Sequence, residues 1–139
     1  MTANITFTII KPDAVQSNFT GKIIDKILDA GFRIKAMKYL HLSEKQAAEF
    51  YEIHKNRPFY NDLIKYMSGG PIVAAVLEKE NAVESYRNLI GATDPQKAEP
   101  GTIRNLFAKS IEANAVHGSD SNENAAIESS FFFSKLEMF

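Results

Sequence analysis

Residues 72–77 read Ile-Val-Ala-Ala-Val-Leu, an unbroken apolar run that directly follows Gly-Gly-Pro at residues 69–71. A short apolar run bounded by turn residues is typical of a strand that is covered on both faces. It is also far too short to span a lipid bilayer, so it does not suggest a membrane protein. We therefore predict that residues 72–77 form a central strand of a sheet.

The sequence on either side of this run predicts three more strands and several helices. Near the N-terminus, Ile5, Phe7 and Ile9 alternate with threonines, which is the period of a strand with one apolar face, and Lys11 ends it. Residues 43–46, Ser-Glu-Lys-Gln, match a capping box that starts a helix. The other predicted strands are 33–42 and 113–117, and the other predicted helices are 20–30, one after Pro58, 82–90, 103–111 and one starting near Asn122.

Reduced to its main elements, this order is β-α-β-β-α-β. It predicts an α/β sandwich (α+β) of the ferredoxin-like kind, with a four-stranded antiparallel sheet covered by helices. A chain of 139 residues is long enough for one domain with a sizeable core, so residues 1–139 are expected to form a single domain. The topology alone does not indicate a function.

The composition limits the classes of function. The formal net charge is −1, whereas non-specific nucleic-acid binding usually requires a basic surplus, so no specific nucleic-acid partner is expected. The absence of cysteine excludes disulfides and thiolate metal sites. The N-terminal residues lack the basic and apolar regions of a signal peptide. We expect a cytoplasmic protein.

The segment 114–121, Asn-Ala-Val-His-Gly-Ser-Asp-Ser, indicates the chemistry. His117 is followed at once by glycine and then by short hydroxyl and carboxyl side chains. This pattern predicts an imidazole at the end of a strand, with a tight turn behind it and hydrogen-bonding groups around it. An imidazole held in this way can act as a nucleophile toward phosphorus.

Several charged side chains occupy helix stripes that otherwise suggest burial. Glu128, for example, lies beside Ile127 and Phe131 on the closing helix. Buried charges normally have partners, and arginine suits phosphate because its guanidinium fork binds two oxygens at once. Each residue alone has a simpler explanation, such as an arginine stem lying over the core or a packed histidine. Together they predict a shared charged cleft formed by His54, Arg87, Arg104 and Glu128, whereas His41 is given no role.

Six motifs along the chain also resemble those of one family. They are I-I-K-P-D-A-V at 9–15, R-P-F-Y at 57–60, Y-M-S-G-G-P at 66–71, G-A-T-D-P at 91–95, P-G-T-I-R at 100–104 and N-A-V-H-G-S-D-S at 114–121. Their identity, order and spacing are similar to those of the nucleoside diphosphate kinases, and they cover almost the whole chain.

The resemblance implies a role for particular residues. His117 would be the nucleophile that accepts a phosphoryl group, while Glu128 and Ser119 would hold and polarise its ring. The remaining implied residues are Lys11, Tyr51 and Asn114 near the sugar 3′-hydroxyl and the transferring phosphate, Arg87, Thr93, Arg104 and His54 at the phosphates, and Phe59 and Ile111 on the two sides of the base.

The resemblance also implies the reaction. A nucleoside triphosphate, usually ATP, would transfer its γ-phosphoryl group to His117, and a second nucleoside diphosphate would then take it, which gives ping-pong kinetics. Mg²⁺ would be bound mainly through the nucleotide phosphates rather than by a protein metal site. Recognition of the base by stacking predicts broad base tolerance. The chain has no P-loop motif.

Two features depart from the family pattern. Leu106 stands where many members have an aspartate, and the chain ends at Phe139 without the longer C-terminal extension of animal members. Family members are homo-oligomers, and the sequence does not decide between a hexamer and a tetramer. The alternative function is a ferredoxin-like module that binds nucleotides or nucleic acid but has lost catalysis.

Overall fold

A computed structural model describes residues 4–139 of the chain. The strands are β1 Ile5–Ile10, β2 Arg33–Leu40, β3 Ile72–Glu78 and β4 Val116–Gly118. The α-helices are α1 Pro12–Gln16, α2 Thr20–Asp29, α3 Glu44–Phe50, α4 Tyr60–Met67, α5 Ala82–Ile90, α6 Ile103–Phe107 and α7 Asn122–Phe132. Two short 3₁₀ helices span Glu52–His54 and Lys135–Glu137. No helix among residues 4–139 is both long enough and apolar enough to cross a membrane.

The strands form one antiparallel sheet in the order β2-β3-β1-β4. Strand β3 lies between β1 and β2, and its residues 72–77 are all buried. This confirms the predicted central strand, because only a strand covered on both faces needs no polar residue. The antiparallel sheet with helices confirms the predicted ferredoxin-like fold.

Helices cover both faces of the sheet and enclose two apolar clusters. Strand β1 contributes to both, since alternate side chains of a strand point to opposite faces. Phe7 and Ile9 pack with the cluster that includes α3, α4 and α7. Ile10 packs with the cluster of α2 and α5, to which Ile23 and Tyr86 belong.

Most predicted boundaries agree with the structure, and Ser43 does form the capping box of α3 with Gln46. Three differ. Helix α1 was not predicted, and Pro12 occupies its first turn, where a missing N–H costs nothing. Helix α6 ends at Phe107 rather than at 111, because the backbone of Ala108 is extended. Strand β4 begins at Val116 rather than at 113, because Ala115 has a φ of 73°.

Candidate active site

His117 lies in the middle of β4, opposite Ile9 of β1. Its carbonyl oxygen accepts a hydrogen bond of 2.8 Å from the hydroxyl of Thr8, which also lies 2.6 Å from the Tyr86 hydroxyl of α5. The imidazole side chain is 20% exposed. The backbone of His117 is thus held from β1 and α5, while its ring keeps access to solvent on one side.

Gly118 does not form the tight turn that the sequence predicted. It belongs to β4, and a Cβ atom at this position would lie 3.0 Å from the Ile90 side chain and 3.1 Å from the Tyr86 ring. A Cβ atom would therefore require these side chains to shift by a few tenths of an ångström, because β4 packs closely against α5. The close packing of β4 against α5 therefore accounts for a residue without a side chain directly after His117.

A chain of hydrogen bonds fixes the imidazole. Nε2 of His117 lies 3.0 Å from Oε1 of Glu128, and the Ser119 hydroxyl donates to the same oxygen at 2.7 Å. The backbone N–H of Phe7 donates to the Ser119 hydroxyl at 3.1 Å. A neutral imidazole whose Nε2–H donates to a carboxylate has its lone pair on Nδ1. Nδ1 is therefore the nitrogen that can act as a nucleophile.

Aromatic rings pack against the same imidazole. The ring centroids of Phe7 and Phe50 lie 6.1 Å and 5.9 Å from that of His117. Neither residue was predicted from the sequence as a neighbour of the site. Their periodicity indicates only that they face the core, and no local signal distinguishes a ring that packs on a histidine from one that packs on another apolar side chain.

Lys11 and Asn114 form a second buried contact. The Lys11 ammonium donates to Oδ1 of Asn114 at 2.7 Å, and the lysine is only 9% exposed. Burial, together with the positive charge of Arg104, lowers the pKa of Lys11 to about 8, and the opposing effect of Asp13 is smaller. Lys11 is therefore a cation near neutral pH but close to losing its proton.

Arg104 of α6 is buried as the sequence predicted, with 8% of its surface exposed. Its guanidinium donates to the carbonyl of Gly91 at 3.1 Å and to that of Val116 at 3.0 Å. Its Nε–H has no hydrogen-bond partner in the described part of the chain. Burial lowers the pKa of Arg104 to about 10, so the group remains charged at neutral pH.

Arg104 lines a cleft of about 540 Å³ together with Arg87 and Thr93. The structure thus brings together three of the four predicted phosphate contacts. Arg87 itself is exposed, however, so the sequence was wrong to place it on a sheltered stripe. The buried positions of α5 are taken by Ala82, Tyr86 and Ile90, which leaves the arginine on the side of the helix that faces solvent.

The closing helix α7 also differs from the prediction. Ile127 and Phe131 are 66% and 40% exposed, whereas Ala125, Ser129 and Phe132 are buried. The Glu128 side chain is nevertheless 18% exposed, because it lies at the edge of the buried face and turns toward His117. The prediction that Glu128 is sheltered is correct, but the stripe on which it was based is not the buried one.

Three predicted residues form an aromatic row. The ring centroids of Tyr51 and His54 lie 6.4 Å apart, and those of His54 and Phe59 lie 5.9 Å apart. Tyr51 is buried, and burial together with the charge of Glu128 raises the pKa of its hydroxyl. His54 is half-buried, and Phe59 is 48% exposed. The row thus runs from the interior to the surface.

Ile111 lies in a different environment. It is 53% exposed and lines a depression of about 320 Å³ with residues 94–96. The sequence predicted that it ends the helix 103–111, but α6 has already ended at Phe107. The backbone N–H groups of Lys109 and Ser110 instead bond the Ala113 carbonyl and form a turn.

A resident metal site is not apparent in residues 4–139. No group of three or more histidine, cysteine, aspartate or glutamate side chains there is arranged to hold a metal ion. The concentrated charge is cationic, from Lys11 and Arg104, which suits phosphate oxygens rather than a metal.

Comparisons with known proteins identify the family. The family model for nucleoside diphosphate kinase matches residues 4–138. A nucleoside diphosphate kinase from Nitratiruptor sp. is 62% identical over 133 residues, 96% of this chain and 97% of that protein. One from Flavobacterium psychrophilum is 57% identical over 139 residues, which cover all of both chains.

Solved structures give the same result. A crystal form of the Aquifex aeolicus nucleoside diphosphate kinase superposes with a TM-score of 0.95 at 44% identity, covering 98% of this chain and 99% of that one. A halophilic nucleoside diphosphate kinase from Halobacterium salinarum, in complex with CDP, superposes with a TM-score of 0.93 at 34% identity. The match covers 99% of this chain and 91% of that one. On its sequence and its fold, the chain belongs to the nucleoside diphosphate kinase family and is an enzyme of that class.

Proposed function

We propose that this nucleoside diphosphate kinase transfers the phosphoryl group through His117. Nδ1 attacks the γ-phosphorus of a nucleoside triphosphate, usually ATP. The N–P bond forms as the P–O bond to the β-phosphate breaks, and the diphosphate leaves with the electron pair. A second diphosphate then enters, its terminal oxygen attacks the phosphorus, and the electron pair of the N–P bond returns to Nδ1. One site that serves both half-reactions gives ping-pong kinetics.

The observation on which this proposal depends is the 3.0 Å contact between Nε2 of His117 and Glu128. It leaves the lone pair on Nδ1 and turns the ring to one orientation. When Nδ1 bonds to phosphorus, positive charge develops on the ring, and the carboxylate stabilises it through the Nε2 proton. The Ser119 hydroxyl holds that carboxylate in place.

Lys11 and Arg104 would neutralise the phosphate oxygens during transfer. Phosphoryl transfer depends mainly on in-line positioning and on positive charge around the moving oxygens. Asn114 orients the Lys11 ammonium, and the Nε–H of Arg104, which has no partner among residues 4–139, is a buried donor that a phosphate oxygen would satisfy. Arg87, Thr93 and His54 are the outer phosphate contacts in this proposal.

The base would stack on Phe59, with Ile111 on its other side. Both side chains are half exposed, and every base offers a flat face to such residues. Recognition without hydrogen bonds to base edges discriminates weakly among bases, which supports broad tolerance. Tyr51 and Lys11 would meet the sugar 3′-hydroxyl and the transferring phosphate. The CDP bound in the halophilic relative supports a nucleotide as the ligand here.

Mg²⁺ would be held mainly by the phosphates of the bound nucleotide rather than by protein side chains. The cationic character of the cleft and the lack of a carboxylate cluster in residues 4–139 support this assignment. The chemistry that Mg²⁺ supplies is neutralisation of charge on the β- and γ-phosphates. The protein residues hold the phosphates, and the nucleotide phosphates hold the metal.

We also propose that the protein is a cytoplasmic homo-oligomer, either a hexamer or a tetramer. The edge strand β2 exposes 50% of Met37 and 69% of Tyr39, an apolar surface that supports association. Native mass spectrometry measures the number of subunits directly, and a monomer at micromolar concentration would contradict the proposal.

The experiment that tests the mechanism is His117→Ala, with His41→Ala as its control. His41 is an exposed histidine that contacts the Ser68 carbonyl and has no proposed role. Incubation with γ-labelled ATP should give an acid-labile phosphoenzyme in the parent and the His41 variant but none in His117→Ala. Transfer to a second diphosphate should follow the same pattern. A labelled His117→Ala protein would contradict the mechanism, and an unlabelled parent would support a binding module without catalysis.

A further inference from the structure

Asp13 is a buried carboxylate that the mechanism above does not use. It lies in α1 and is 8% exposed. One of its oxygens accepts the hydroxyl hydrogen of Tyr66 of α4, and the other accepts the backbone N–H of Ala115 at 3.2 Å. Carboxylates are seldom buried without a partner, and here both oxygens are used. The second contact joins residues that are 102 positions apart in the chain.

Ala115 is in an unusual conformation. Its φ of 73° lies in the left-handed region, which a residue with a Cβ atom adopts only when its surroundings impose it. Ala115 is fully buried, and its carbonyl oxygen accepts the backbone N–H of Lys11 at 2.8 Å. Asp13 and the backbone of Lys11 therefore hold the two backbone polar groups of Ala115 from both sides.

The conformation of Ala115 sets the positions of its neighbours. Asn114, just before it, receives the Lys11 ammonium, and Val116, just after it, receives the Arg104 guanidinium. His117 follows one residue later. A relaxation of Ala115 toward the ordinary φ range would move all of these groups relative to one another.

We propose that Asp13 is a positioning residue for phosphoryl transfer, which keeps Ala115 left-handed so that the Lys11–Asn114 pair, Arg104 and His117 are aligned before a nucleotide binds. Through Tyr66 the same carboxylate ties this strand end to α4, the helix that begins directly after Phe59. The inference rests on the proposed function, since it concerns the alignment of that site.

Two other roles would give different results. Asp13 could act only through its charge on Lys11, or it could contribute only to the stability of the fold. Glycine adopts positive φ without the cost that a Cβ atom imposes. Ala115→Gly should therefore remove the need for the Asp13 contact if positioning is the role, and it should not compensate for a lost charge.

The experiment measures the rate of phosphoenzyme formation in a single turnover, with γ-labelled ATP and folded, full-length protein. Asp13→Ala should lower this rate by about 100-fold, the loss that a small misplacement of reacting groups produces. The final amount of phosphoenzyme should match the parent. In the double variant Asp13→Ala/Ala115→Gly, we expect recovery of about tenfold, while Ala115→Gly alone stays within about threefold of the parent.

The conservative variant Asp13→Asn separates positioning from charge. Its amide oxygen can accept from Ala115 and its N–H can donate to Tyr66, so most of the parent rate should remain. The positioning role is overturned if the rate of phosphoenzyme formation falls as much in Asp13→Asn as in Asp13→Ala. It is also overturned if adding Ala115→Gly to Asp13→Ala restores none of the lost rate. If Asp13→Ala fails to fold, the variants Asp13→Asn and Tyr66→Phe test the positioning role instead. A parent-like rate in Asp13→Asn with a loss of a few fold in Tyr66→Phe supports the role, and any other pattern contradicts it.

The parent and His117→Ala are measured in the same assay. If the parent forms no phosphoenzyme, the proposed function fails. If the parent forms it, His117→Ala does not, and Asp13→Ala reacts at the parent rate, only the role of Asp13 fails.

Discussion

Two regions of the site differ in how firmly the protein holds them. At the inner region the side chains are mostly buried and bonded to one another; it comprises Lys11, Arg104, Asn114, His117, Ser119 and Glu128. At the outer region the side chains are exposed; it comprises Phe59, Arg87, Thr93 and Ile111.

The difference follows from what each region is proposed to do. Groups that act on the transferring phosphoryl must be in place beforehand, since any reorganisation during the reaction adds to the barrier. Groups that meet the base must accept several bases, so loose apolar contact is sufficient. The inner region should therefore control the rate of transfer, and the outer region should control binding. Substitutions in the two regions should therefore differ in size of effect and in whether kcat or KM changes.

The largest effect is expected for Arg104→Ala, which should lower kcat/KM by about 1,000-fold, the upper range for loss of one charged donor at a reacting group. It removes a buried cation and also the partner of the Val116 carbonyl next to His117. Steady-state kinetics measure kcat/KM, and circular dichroism checks that each variant is folded. The matched control is the exposed Arg87→Ala, for which we expect about a tenfold loss. Equal losses in the two variants would contradict the division into regions.

Glu128→Gln should lower kcat by about 100-fold with little change in KM, because the charge of the carboxylate matters mainly once the ring becomes positive. Glu123→Gln, an exposed carboxylate on the same helix, is the control and should behave like the parent. Initial rates over a range of diphosphate concentrations separate kcat from KM. An effect confined to KM would show that Glu128 acts in binding instead.

The activity should fall on the alkaline side because of Lys11. Its pKa of about 8 in the folded protein lies below the ordinary 10.5, so the required positive charge is lost as the pH rises through about 8. We expect kcat/KM to fall about tenfold per pH unit above that value, since this parameter reports groups of the unliganded enzyme. In Lys11→Arg the side chain stays charged, so this decline should disappear even if the rate is lower. A decline that persists in Lys11→Arg would point to another group.

The smallest effect is expected for Phe59→Ala, which should raise KM about five- to tenfold and leave kcat nearly unchanged, as the loss of one stacking contact predicts. Ile53→Ala is the control, because Ile53 is 80% exposed and has no proposed contact with the nucleotide. Purine and pyrimidine diphosphates should be affected alike. A large fall in kcat would place Phe59 with the inner region.

Much of this architecture was predictable from local patterns. The apolar run at 72–77 predicted the central strand, and the residue types around His117 predicted a supported imidazole. The exposed face of α5 was not predictable, because helical periodicity alone does not show which of two adjacent positions is covered. The left-handed Ala115 was also missed, since alanine rarely adopts this conformation and nothing in its neighbours indicates it.

Periodicity and turn residues are local properties, and they were enough to predict the four strands and most of the helices, while the resemblance of six ordered motifs indicated the family. The contacts between distant segments depend on packing instead. Lys11 meets Asn114 across 103 positions of sequence, and Phe7 holds Ser119 across 112. Burial then lowers the pKa of Lys11, and the contact of Nε2 with Glu128 leaves Nδ1 of His117 as the open nitrogen, because both effects depend on which groups surround a side chain in space.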